Sequence, residues 1–276
     1  VADISPDKAF TVRVQMATSD SRTYLRNFSL PVICPTVAST PTGTGSSSDP
    51  YLISNLSELL WISENPSSWE KYIQQTANID ASKTQFWDDS DDDGNGNKYD
   101  DPNDCNANGT NDGWLPIANG GGVFKGNYNG SDFKIANLAL SRSSDNLGFI
   151  SQASSGEVAK LTLENVNFTE TSGGKNVGGA IGAANGSFRI YEVRVTGTID
   201  GSSQGTEYLG GVAGYMSGSS SVYDSSFKGD VTGSRTLSNY VGGITGRHSS
   251  DEELRLSIVY GNTSIIGAKY TGGIAG

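Results

Sequence analysis

Five short motifs recur along the chain at nearly constant spacing: "NLGFIS" from Asn146, "NVGGAIG" from Asn176, "YLGGVAG" from Tyr208, "YVGGITG" from Tyr240 and "YTGGIAG" from Tyr270. Their second residues, Leu147, Val177, Leu209, Val241 and Thr271, follow one another at steps of 30, 32, 32 and 30 residues. A period of this length marks a chain built by stacking small units, none of which can bury its apolar face alone.

Between the motifs runs a second apolar stretch: "EVAKLTLENVNF", "FRIYEVRVTGTI", "SVYDSSFKGDV" and "LRLSIVYGNTSI". These alternate apolar and polar residues, the pattern of half-buried strands. In "FRIYEVRV", Phe188 and Ile190 lie on one parity while Val193 and Val195 lie on the other. A kink or bulge between Ile190 and Val193 lets both pairs point inward. Each unit then reads as one coil of two or three short strands with glycine-rich corners. The pairs Gly178–Gly179, Gly210–Gly211, Gly242–Gly243 and Gly272–Gly273 fall in a stacked register. They serve either close backbone approach or a positive φ at a tight corner. A flexible glycine-rich linker would not hold Val, Ile and Leu at a fixed period. With 36 glycines, 2 methionines and 1 histidine, the composition also favours an all-β chain.

These motifs resemble the GLUG-type repeats of bacterial surface and secreted proteins, the first copy, "LGFIS", departing from the pattern. The resemblance takes in "FKGNYNGSDFKIANLAL" (Phe124 to Leu140), similar to the entry strands of that family, and extends to Asp49–Ala81. It implies a right-handed parallel β-helix, a β-solenoid, in adhesin-like proteins. It brings no catalytic residues with it.

Upstream, "NLSELLWISEN" predicts an amphipathic helix over Asn55–Glu64 lying on the first coil. Asn55 is its N-cap and Glu58 completes a capping box; Leu56, Leu59, Leu60 and Ile62 or Ser63 follow helical spacing, and Pro66 is the stop. "SSWEKYIQQ" is a candidate continuation of that helix. Residues 1–36 contain two alternating strands, Ala9–Met16 and Tyr24–Ile33, a β-hairpin resembling the end of an immunoglobulin-like module. Two strands alone are not a stable sandwich, so a flank of the solenoid, missing strands or a neighbouring molecule is expected to complete them. Residues 37–50, rich in Pro, Gly, Ser and Thr, read as a linker. The start at Val1 and the end at Gly276, inside a repeat, read as a piece of a longer protein. Cys34 and Cys105 form one disulfide in an oxidising compartment or remain two thiols.

The segment from Trp87 to Trp114 carries nine aspartates against one lysine, a net −8 within a chain total of −11. Unneutralised, it repels itself and stays a solvated loop; the other reading is that a cation completes it. Asp89, Asp91 and Asp93 take positions 1, 3 and 5 of a twelve-residue loop. Gly94 follows at 6, Asn95 at 7, Asn97 at 9 and Asp100 at 12, in place of the usual glutamate. This is the ligand spacing of a calcium loop, glycine supplying the turn. Asp104, Asn106, Asn108, Thr110 and Asp112 repeat the alternation more weakly. The loops resemble the calcium repeats of thrombospondin type 3 and dockerin modules. Oxygen donors without clustered His or Cys point to Ca²⁺. The insertion spans 88–113 of a solenoid running over 51–276, and Trp87 and Trp114 are expected to meet where it leaves and rejoins the body.

Catalysis on a β-helix wants convergent carboxylates. Glu157, Glu164, Glu192, Asp200, Asp224 and Asp230 form no such pair in the sequence, and "HSSDEE" from His248 reads as a surface loop. The chain is therefore read as non-enzymatic: a calcium-stabilised, extracellular structural or adhesive segment at a cell surface. A self-assembling filament or sheath subunit is the alternative, and a carbohydrate-binding or -cleaving β-helix a second one. Expected partners are neighbouring modules, identical subunits, surface glycans or receptors on other cells. The acidity argues against nucleic acid, and no apolar run is long enough for membrane insertion.

Overall fold

The computed structural model describes residues 36–87, 111–202, 206–235, 239–250, 254–255, 257–267 and 269–276, together with the backbones of 11–17 and 23–29. The chain forms a β-solenoid. One coil runs through Glu157–Ala159, Thr162–Glu170, Asn176–Gly178 and Ile181–Ala184. The next repeats it as Arg189–Tyr191, Arg194–Gly201, Tyr208–Gly210 and Ala213–Gly218. Equivalent strands pair in parallel, giving four stacked sheets, here I to IV in the order the coil visits them. The ladder Asn127, Glu157, Arg189, Ser221 in sheet I gives coils of 30, 32 and 32 residues. The motif residues Asn146, Asn176, Tyr208, Tyr240 and Tyr270 fall in register in sheet III.

Like stacks on like inside. Val158, Ile190 and Val222 form one buried column, Leu163, Val195 and Phe227 a second, and Val177, Leu209 and Val241 a third. The parity change between Ile190 and Val193 is resolved by Glu192, whose φ is 53°. That left-handed residue turns the chain from sheet I to sheet II, so Ile190, Val193 and Val195 are all fully buried. Lys160 and Asp224, with φ of 51° and 50°, make the same corner in neighbouring coils.

The motif glycines answer the question their sequence poses. None of the paired glycines has a positive φ. They are there for close approach: a Cβ on Gly178 would lie 2.3 Å from the Ile181 carbonyl oxygen and 2.5 Å from the Gly214 nitrogen. The strands of sheets III and IV are pressed together as a tight arch whose contact surface is bare backbone.

The helix spans Leu56–Glu64 and buries Leu56, Leu59, Leu60, Ile62 and Ser63. Asn55 Oδ1 accepts from Glu58 N at 3.0 Å, and Glu58 Oε2 accepts from Ser54 N at 2.7 Å, one residue earlier than a standard capping box. The helix lies in sequence between the outermost strand of sheet I, Tyr51–Ile53, and the next, Tyr72–Gln75, and its apolar side joins the common core. It does not continue through "SSWEKYIQQ". Pro66 opens a short 3₁₀ turn, Pro66–Ser68, and Tyr72–Gln75 is a strand paired with Tyr51–Ile53 and Asn127–Asn129. Ile73 and Gln75 point inward, so pairing on both sides overrides the local helical tendency. Residues 37–50 are hydrogen-bonded to the first coil, Leu52 N to Thr42 O at 2.9 Å and Tyr72 N to Gly45 O at 3.0 Å. Thr11–Ala17 and Thr23–Ser29 pair antiparallel, Thr11 opposite Ser29. Cys34 and Cys105 lie outside the described residues.

Among the described residues, one carboxylic side chain is fully built into the coil. Glu170 is 1 % exposed; its Oε1 accepts from Ser172 N and Gly174 N, both at 2.8 Å, and its Oε2 from the Thr206 hydroxyl at 2.9 Å. It holds the turn into sheet III and ties that turn to the coil above. Glu170→Ala strands these donors and is expected to cost about 2 kcal/mol, with Glu170→Gln costing less than half as much. Urea unfolding of the two variants checks the order.

Candidate functional site

The acidic insertion leaves and re-enters the solenoid at one closed neck. Gly113 N donates to Trp87 O at 2.9 Å, and the two tryptophan rings, both fully buried, stand 6.2 Å apart. The returning strand is clamped further: Ser141 N donates to Asp112 O at 2.8 Å, and Arg142 donates through Nε to Trp114 O and through Nη2 to Gly113 O, each at 3.0 Å. On the outgoing side, Asn111 Nδ2 donates to Gln85 O at 2.8 Å. The approach of Trp87 and Trp114 expected from the sequence is thus realised.

Of the eleven residues expected as calcium ligands, Asp112 alone is described, half-buried beside the neck. Asp89, Asp91, Asp93, Asn95, Asn97, Asp100, Asp104, Asn106, Asn108 and Thr110 lie outside the described residues. Among the described residues no three His, Cys, Asp or Glu side chains group as a metal site. The eleven residues themselves are Asp, Asn and Thr, all oxygen-bearing side chains.

Two carboxylates of the repeats are engaged between coils. Glu157 pairs with Arg189 at 2.6 Å, and Glu164 with Lys134 at 2.7 Å. Burial, with the Glu157 charge next, pushes the Tyr191 phenol above its usual range. Asp200 Oδ1 accepts from Ser202 N at 2.8 Å, while Glu192 and Asp224 occupy the left-handed corners. His248 is not in a loop. It belongs to the strand Thr245–Ser250 of sheet IV, opposite Met216, because the register of Ala213–Gly218 carries it there; residues 251–253 of "HSSDEE" lie outside the described residues.

No family model matches the chain, and no solved structure matches it. A protein of Haloquadratum walsbyi named Halomucin is 33 % identical over 166 residues, which is 59 % of this chain and 2 % of that protein. The match and the solenoid together fit a structural role. No helix among the described residues is long and apolar enough to cross a membrane.

Proposed function

We propose that the chain is a structural segment of an extracellular or cell-surface protein: a non-enzymatic β-solenoid rod, of GLUG type by its motifs, stabilised by Ca²⁺ held in the acidic insertion. The observation that carries it is the neck. The insertion is joined to the core through buried Trp87 and Trp114, so ordering the loop bears directly on the first coils. Asp89, Asp91, Asp93, Asn95, Asn97 and Asp100 would hold one ion, and Asp104, Asn106, Asn108, Thr110 and Asp112 a second. The likeness to Halomucin and the coil-to-coil use of the repeat carboxylates support the surface, structural part of the reading.

Thermal unfolding in millimolar Ca²⁺ and again in chelator tests it. A site at a hundred times its dissociation constant adds ~2.7 kcal/mol, so chelation is expected to lower the melting temperature by about 5 °C. Replacing Asp89, Asp91 and Asp93 together by Asn removes most of that difference. Equal melting in both conditions sinks the calcium reading. Light scattering on the same samples is expected to give a monomer in both; calcium-dependent polymers would make the chain a filament subunit instead.

A further inference from the structure

At the mouth of the arch between sheets III and IV lies an open notch of about 260 Å³. Two columns border it. Register stacks Asn146, Asn176, Tyr208 and Tyr240 in sheet III, and Gln152, Ala183, Tyr215 and Arg247 in sheet IV. They meet across the mouth: Asn146 Nδ2 donates to Gln152 Oε1 at 3.4 Å, the rings of Tyr208 and Tyr215 are 5.2 Å apart, and Arg247 donates to the Tyr208 hydroxyl at 3.1 Å. The small side chain of Ala183, between Gln152 and Tyr215, leaves the notch open.

The lining combines carboxamides from both sheets with one aromatic ring. Asn146, Gln152, Asn176 and Asn185 supply four amides, and Tyr215 forms a wall. Asn176 Nδ2 donates to Asn146 Oδ1 at 2.5 Å, while Asn176 Oδ1 is buried and receives no donor. Asn185 gives its carbonyl oxygen to the Ser217 hydroxyl at 2.6 Å and keeps its amide hydrogens. Lys175 at the rim is offset by Asp145.

Amides present a donor and an acceptor side by side, the complement of neighbouring hydroxyl groups that each donate and accept. An aromatic wall suits the C–H face of a sugar ring, and a mostly pre-formed site with a few placed polar groups suits a small unit. An anion would want donors and net positive charge, which the Asp145–Lys175 balance does not supply. A peptide strand would want a free sheet edge, but the two strands that carry Asn176 and Ala183, in the middle of the notch, are each paired on both sides.

The geometry points to a glycan subsite: the notch takes a neutral pyranose unit of a polysaccharide, its hydroxyls held by Asn185 and Gln152 and its ring against Tyr215. The inference deepens the surface reading by naming what the rod would hold, and rests on that reading only for where such a polymer is met.

Titration calorimetry of the full chain in Ca²⁺, with neutral tetrasaccharides of glucose, N-acetylglucosamine and mannose and with a uronate tetrasaccharide for comparison, tests it. Saturable binding of at least one neutral glycan is expected. Tyr215→Ala and Gln152→Ala should each weaken it roughly tenfold, while Tyr191→Ala, in the stacked Tyr191–Tyr223 pair on sheet I, leaves it intact. Circular dichroism establishes that each variant is folded, and Asn185→Ala substitutes for any that is not. The inference is overturned if the folded chain binds none of the neutral glycans, if the notch variants bind like the parent, or if only the uronate binds. Glycan binding with no calcium effect on melting sinks the calcium reading alone; the reverse sinks the glycan subsite alone.

Discussion

Gly211→Ala is expected to destabilise the solenoid by about 3 kcal/mol or more, enough to unfold a chain of ordinary stability at moderate temperature. The added Cβ would lie 2.2 Å from Cγ of Phe227 and 2.3 Å from the Gly243 carbonyl oxygen. Neither can give way easily. Phe227 is fully buried in a core column, and Gly243 belongs to the next turn of the same arch. A single methyl therefore has to separate two coils that are hydrogen-bonded along their length. The repeat supplies its own control. Gly273 holds the equivalent motif position and has no positive φ, and among the described residues a Cβ added there would meet no heavy atom within 4 Å. Gly273→Ala is expected to change stability by less than about 0.5 kcal/mol. Urea unfolding followed by tryptophan fluorescence separates the two. Equal midpoints would show that the glycine pairs are not there for close approach.

The same contrast separates what the residues reveal by themselves from what only the fold reveals. The period is legible because stacking demands the same side-chain type at the same place in every coil, and Val177, Leu209 and Val241 advertise it. The kink between Ile190 and Val193 is legible from parity alone; that Glu192 makes it, at a φ of 53°, is not, since no residue type there announces a left-handed turn. Tyr72–Gln75 reads as a continuation of the helix because four residues carry too little periodicity to tell helix from strand. Its partners, Tyr51–Ile53 and Asn127–Asn129, decide the matter from opposite sides of the acidic insertion. The notch is hidden for a related reason. Its residues come from two columns in adjoining sheets, and one of them runs Gln152, Ala183, Tyr215, Arg247, with no residue type repeated. The signal that could have found it lies six or seven residues beyond each motif start, taken coil by coil.

Phe149→Gly would make the first motif match the other four at its second glycine, and consensus reasoning predicts that it stabilises. We expect the opposite, a loss of about 4 kcal/mol. In later coils the glycine is required because a core side chain fills the space over it: Val195 over Gly179, Phe227 over Gly211. At Phe149 the situation changes, because among the described residues sheet III ends with the strand Asn146–Leu147 and the coil beneath supplies no further strand to it. The ring fills the place beneath sheet III that a further strand would take. It stacks on Trp114 at 5.9 Å and meets Tyr128 edge-on at 5.1 Å, while Trp114 Nε1 donates to the Phe149 carbonyl oxygen at 3.1 Å. Trp114 in turn leans on Trp87, so this aromatic group joins the first coil with a sheet III strand to the neck of the acidic insertion. Removing the ring leaves a cavity among rigid side chains that cannot collapse into it, and loosens the seat of the insertion at the same time. Phe149→Leu, which refills part of the volume, is expected to recover about half of the loss. The decisive comparison is the unfolding midpoint of Phe149→Gly against the parent: a variant as stable as the parent would mean that the first motif departs from the repeat by drift rather than because the space beneath sheet III needs a plug.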